Sequence, residues 1–148
     1  NPAYNPAAAE ASQKPEAAKG DPLQGWKARG CEATVANGLL TAKATGSAPF
    51  LGFAAGNTSG PIVVVFRIRC PADGTAKVEW LPKPQATDQA KSIPYEVQGG
   101  EWQERSVTIP AKGQLGVVRL YLPPGNQPVE IDWIQFKPVN GKIQKWDF

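Results

Sequence analysis

From Gly99 to Phe136 the chain runs as short apolar stretches cut by glycine and proline, and no helical period connects them. Ser106-Val107-Thr108-Ile109-Pro110, Leu115 to Leu122 and Val129 to Phe136 are all of strand length. The last contains Ile131-Asp132-Trp133-Ile134-Gln135-Phe136, which reads as a buried closing strand. Runs of this kind bury one face each, so the core has to form between stacked sheets. The arrangement that satisfies them is an antiparallel β-sandwich.

The pattern extends back to Gly25-Trp26. Glu32 to Ala36 and Leu39 to Thr45 flank Asn37-Gly38, a pair that accepts the positive φ of a tight hairpin turn. Phe50 to Phe53 is a short strand, and Pro61 to Cys70 is apolar on both faces through Phe66, which predicts a central strand. Thr75 to Leu81, Ile93 to Val97, Trp102 to Ile109, Leu115 to Leu122, Val129 to Lys137 and an edge piece at Lys142 to Trp146 complete the set, with a loop over 82–92. Fifteen prolines and fifteen glycines suit this many turns. The expectation is one all-β module over residues 25–148, an antiparallel sandwich of the jelly-roll, galactose-binding-like type. Residues 1–24 are Ala, Pro, Glu, Lys and Gln with a single Leu, a composition that buries too little to fold alone and reads as an irregular linker.

Histidine is absent. That removes Ser-His-Asp and Cys-His nucleophilic machinery and every histidine-bearing zinc site. The acids are scattered with no conspicuous pair of the kind glycoside hydrolysis uses, so the chain is expected to be non-catalytic and to need no cofactor. Residues 25–148 hold 14 basic and 10 acidic side chains, a balance of +4. This leans toward anionic partners and falls short of a nucleic-acid footprint. No stretch approaches the roughly 20 apolar residues of a membrane span. No basic-then-apolar leader opens the chain, so such a signal was removed or the chain is part of something longer.

Cys31 and Cys70 admit two readings. One is a disulfide in a secreted or periplasmic protein, worth about 3–4 kcal/mol for a loop of this size. The other is a pair of buried thiols acting as small hydrophobes.

Alternation separates core from exterior. Ile62, Val64, Phe66, Ile68 and Cys70 share one face of their strand, opposite Val63, Val65, Arg67 and Arg69. Val118, Leu120 and Leu122 oppose Val117, Arg119 and Tyr121, while Ala76, Val78 and Trp80 oppose Lys77, Glu79 and Leu81. If these strands share a sheet, Arg67, Arg69, Lys77, Glu79, Arg119 and Tyr121 form one polar platform. Guanidinium forks and an aromatic ring on a rigid sheet suit a sugar with hydroxyl, carboxylate or sulfate groups. The alternative is an ordinary solvated face of weak ion pairs. Of the tryptophans, Trp80 alternates with core residues, Trp26 and Trp146 flank the module, and Trp102 and Trp133 are the candidates for ligand contact. Asp132 stands among apolar neighbours, either as a structural calcium ligand or paired with an arginine or backbone amides. Asn57-Thr58-Ser59 matches a glycosylation acceptor pattern.

Trp26, Pro49-Phe50-Leu51, Pro61-Ile62-Val63-Val64, Arg67-Ile68-Arg69, Gly100-Glu101-Trp102, Val107-Thr108-Ile109-Pro110 and Ile131-Asp132-Trp133-Ile134 together resemble the β-sandwich modules appended to secreted planctomycete-type sulfatases. Asn1-Pro2-Ala3-Tyr4-Asn5-Pro6 looks like the run that closes the catalytic part of such enzymes. The resemblance implies a non-catalytic carbohydrate-binding module that targets an attached sulfatase to a sulfated or otherwise anionic polysaccharide. The sulfatase signature, Cys or Ser before x-Pro-x-Arg, is absent, and Cys70-Pro71-Ala72-Asp73 does not match it. The competing reading is a structural domain that packs on a catalytic neighbour or mediates oligomerisation without binding glycan.

Overall fold

The computed structural model describes residues 21–82 and 90–148. Most of the expected linker over 1–24, and most of the expected loop over 82–92, lie outside the described residues. Residues 21–24 form a turn at the entry to the module. The Asp21 carboxylate accepts from the Leu23 and Gly25 amides at 3.0 and 2.8 Å, closing a turn that packs Leu23 against the core.

Ten strands follow: β1 (Lys27–Arg29), β2 (Cys31–Ala36), β3 (Leu39–Ala44), β4 (Phe50–Ala54), β5 (Ser59–Arg69), β6 (Gly74–Pro82), β7 (Lys91–Val97), β8 (Gln103–Tyr121), β9 (Val129–Pro138) and β10 (Gln144–Asp147). All their ladders are antiparallel. No helix among the described residues is long and apolar enough to cross a membrane.

The strands form a sandwich whose two sheets share β8. The front sheet runs β1-β4-β8-β6-β7, using the Leu115–Tyr121 part of β8. The back sheet runs β8-β5-β9-β3-β2, using the Gln103–Gln114 part, with β10 beside β9 on the same edge as β3. The two expected strands at 102–109 and 115–122 are therefore one, and Lys112-Gly113 between them is the point where it changes sheets rather than a turn. Gly113 takes φ +87° there, where a side chain would be strained. β1 is the strand that pattern reading missed, because three residues show almost no alternation.

The core lies between the sheets where alternation placed it. Ile62, Val64, Phe66 and Ile68 of β5 face Val78, Trp80, Val118 and Leu120 of the front sheet, all at most 4% exposed. Trp26 and Trp146 close one end by packing with Phe53 and Phe136, ring centroids 4.8–5.9 Å apart. The Asn37-Gly38 hairpin forms as expected, both residues at positive φ.

The disulfide does not form: Cys31 and Cys70 are free thiols. The topology explains this. Cys70 follows the end of β5 and Cys31 opens β2, with β9 and β3 between those strands. Three strand spacings are about 14 Å, twice the roughly 7 Å beyond which two Cα atoms cannot be bridged. Burial instead pushes the Cys70 thiol up to about 11. The Tyr95 hydroxyl beside it is raised well above 10, first by burial and then by the Cys70 charge. Both groups hold their protons more tightly folded than unfolded, so the stability they contribute is whole below about pH 9 and drains as pH climbs through 11. Melting temperature is expected to fall by several degrees between pH 8.5 and 10.5, and less in Cys70→Ala; an equal fall in both would show that Cys70 plays no part.

Candidate functional site

Register places the outward side chains of the front sheet in two adjacent rows. Lys27 pairs with Gly52 and Arg29 with Phe50; Gly52 then pairs with Arg119, and Phe50 with Tyr121. Beyond β8, Arg119 pairs with Glu79 and Glu79 with Ser92, while Lys77 pairs with Pro94. One row thus reads Arg29, Phe50, Tyr121, Lys77, Pro94, and the other Lys27, Gly52, Arg119, Glu79, Ser92. Five strands span about 19 Å, longer than a single sugar.

Charge and aromatic surface interleave along these rows. The Arg119 guanidinium donates to Glu79 Oε1 at 2.8 Å and lies 5.4 Å from the Phe50 ring centroid. Lys77 Nζ sits 4.7 Å from the Tyr121 centroid and 3.8 Å from Glu79 Oε2. Phe50 and Tyr121 pack on each other, centroids 4.9 Å apart. Burial, then the Glu79 charge, raises the Tyr121 hydroxyl above its ordinary range, so it is a neutral donor at physiological pH. Glu79 is thus a shared anchor that holds Arg119 and Lys77 in fixed positions over the rings. Two shallow grooves meet at this strip. One of about 400 Å³ is lined by Ala48, Thr75, Lys77, Ser92, Pro94 and Tyr121, and one of about 270 Å³ by Lys27, Arg29, Phe50, Gly52 and Arg119.

The single platform expected from the sequence is split between the sheets. Lys77, Glu79, Arg119 and Tyr121 stand together on the front face. Arg67 and Arg69 stand on the outer face of the back sheet, because β5 lies wholly in that sheet. There they flank Trp102, at 5.1 and 5.0 Å from its ring, and are paired with Asp132 at 3.3 Å and Glu130 at 2.6 Å. Trp133 lies on the same face with Lys145 4.8 Å from its ring. Both candidate tryptophans therefore carry cations that are themselves engaged with carboxylates: Lys145 also approaches Asp147 at 3.9 Å.

Asp132 is the extra residue of a bulge in β9, between the Arg67↔Trp133 and Ile68↔Ile131 pairs. The bulge turns its carboxylate outward, 40% exposed, onto Arg67. A lone carboxylate neutralised by a guanidinium does not suit calcium, which takes six to eight oxygens. Among the described residues no three Cys, Asp or Glu side chains converge.

Phe50, Gly52, Lys27 and Arg29 join this strip without having been among the expected candidates. The signal was present: Phe50 and Gly52 alternate with inward Leu51 and Phe53, and Lys27-Ala28-Arg29 is charged, small, charged.

No family model matches the chain, and no curated protein matches it. Solved structures do. A family 29 carbohydrate-binding module from Piromyces equi superposes with a TM-score of 0.54 at 13% identity, covering 72% of this chain and 76% of that one. A mutant of the module CBM29-2, complexed with cellulohexaose, gives 0.55 at 10% identity, over 82% of this chain and 80% of its own. The agarase AgWH50C gives 0.59 at 10% identity over 79% of this chain, which spans 24% of the agarase's length. At these identities the likeness is one of fold: the chain is an all-β sandwich built like these modules.

Proposed function

We propose that this chain is a non-catalytic carbohydrate-binding module that holds a polysaccharide on the front sheet. The carrying observation is the pair of parallel rows, with aromatic surface at Phe50 and Tyr121 and charge at Arg119, Lys77 and Glu79 in one strip. Sugar rings offer apolar C–H faces to the aromatics and hydroxyls to the charged groups. Hydrolysis needs two carboxyls flanking the bond, and Glu79 is the one acid in the two rows. Similarity of fold to carbohydrate-binding modules supports the reading. The excess of cations favours an acidic glycan, and the sequence resemblance favours attachment to a secreted sulfatase. The ion-paired, charge-balanced back face around Trp102 suits packing against a neighbouring domain better than glycan capture.

Electrophoresis through gels cast with polysaccharide tests this. Tyr121→Ala and Phe50→Ala are expected to lose retardation at least tenfold, with Trp102→Ala unchanged. The reverse pattern would move the site to the back face. No retardation of the unaltered protein on any gel would leave a structural domain as the better account.

A further inference from the structure

The front face is not evenly charged. Lys77 and Arg119 are tied to Glu79, whereas Lys27 and Arg29 make no ion pair among the described residues, and both side chains are exposed. They project from the same face of edge strand β1, two residues and so about 7 Å apart. Between them and Arg119 lies Gly52, where a Cβ would sit 3.4 Å from the Phe50 ring and 3.9 Å from Arg119 Cγ. The missing side chain is what leaves the 270 Å³ groove open, with Phe50 as one wall and three cations around it.

We propose that this groove is an acid-reading subsite. It takes a sulfate ester or carboxylate on the bound sugar at Lys27, Arg29 and Arg119, while the sugar ring rests against Phe50. The inference rests on the front face being the glycan site and specifies the ligand class there as an anionic polysaccharide.

Charges on an edge strand also keep sheets from pairing edge to edge, and that role alone would account for Lys27 and Arg29. It would not account for an open groove beside them, nor for their alignment with a third cation across a glycine. Two unpaired cations close to one small cavity repel each other, and an anion between them relieves that repulsion. Arginine adds a planar fork that matches the oxygens of sulfate or carboxylate.

The test uses the full chain and the double variant K27Q/R29Q, which alters exposed side chains of a short edge strand and is checked for an unchanged melting temperature. Polyacrylamide gels are cast with a sulfated galactan, with a polyuronate, and with a neutral cellulose ether, each run at about 50 and 300 mM salt, where the screening length roughly halves. Retardation by an acidic gel is expected to be salt-sensitive and to weaken at least tenfold in K27Q/R29Q, a larger loss than any on the neutral gel. The sulfated and polyuronate arms separate sulfate from carboxylate recognition. If K27Q/R29Q binds acidic gels as the parent does while Phe50→Ala does not, the subsite is wrong and the front-face site stands. If the parent is retarded by the neutral gel alone, or by none, the subsite is equally overturned, and the last result removes the glycan reading with it.

Discussion

Replacing Phe136 with alanine is expected to cost about 3–5 kcal/mol of folding stability. Phe136 is fully buried in β9, with a strand paired on each side of it: Val64 of β5 and Gln144 of β10. Its ring meets Trp26, Phe53 and Trp146 at centroid distances of 5.8, 5.9 and 4.8 Å. These partners come from the entry to β1, from β4 in the front sheet and from the last strand, so the cluster ties both sheets and both described termini together. Backbone ladders hold β9 on either side, which prevents collapse into the space left by the ring, and a cavity that cannot close costs most. A domain of this size has about 5–15 kcal/mol in total, so the variant should unfold at a much lower urea midpoint. Val139→Ala, at a side chain 68% exposed, is the control and should change little. A loss under about 1 kcal/mol for Phe136→Ala would mean that the aromatic end is not part of the cooperative core.

How much of this was readable in the chain depends on the length of each pattern. The long strands were legible because alternation in β5, β6 and β9 gives several inward residues apiece, and their burial agrees. β1 has only one inward residue, Ala28, and no period can be read from one position. The length of β8 was hidden for the opposite reason. Lys112-Gly113 carries turn composition, yet the chain keeps its ladder with β5 as far as Gln114 before passing to the front sheet.

The site was harder than the fold, because alternation tells which residues share a face of a strand and not which strands share a sheet. Arg67 and Arg119 look equivalent in sequence, both outward on central strands. The crossover of β8 separates them, since its Gln103–Gln114 part pairs with β5 and its Leu115–Tyr121 part with β4 and β6. Grouping Arg119 with Lys77, Glu79 and Tyr121 survived because β6 and β8 are adjacent, while Phe50 and Lys27 entered only once the order β1-β4-β8 was known. The disulfide failed on the same ground: spacing along the chain carries no information about the two strands lying between Cys31 and Cys70.

The crossover itself is the most sensitive backbone point, and Gly60→Ala is expected to destabilise by about 3 kcal/mol or more. Gly60 pairs with Gly113 across the bend of β8, next to a shift of register before Ile62. A Cβ at Gly60 would land on the carbonyl oxygen of Ala111. That oxygen belongs to backbone inside a ladder, so it cannot swing away as a side chain would; β5 and β8 must separate instead. Separation there strains the one strand that both sheets share, so the penalty falls on the whole sandwich. Two other glycines calibrate the effect. Gly113→Ala meets nothing within 4 Å but holds φ +87°, so it should cost about 1–2 kcal/mol of local strain. Gly125→Ala has open space and no positive φ, and should be nearly neutral. Urea unfolding of the three variants should rank them in that order, with Gly60→Ala worst. If Gly60→Ala melts with Gly125→Ala, the close approach of β5 to β8 is not what fixes the angle between the sheets.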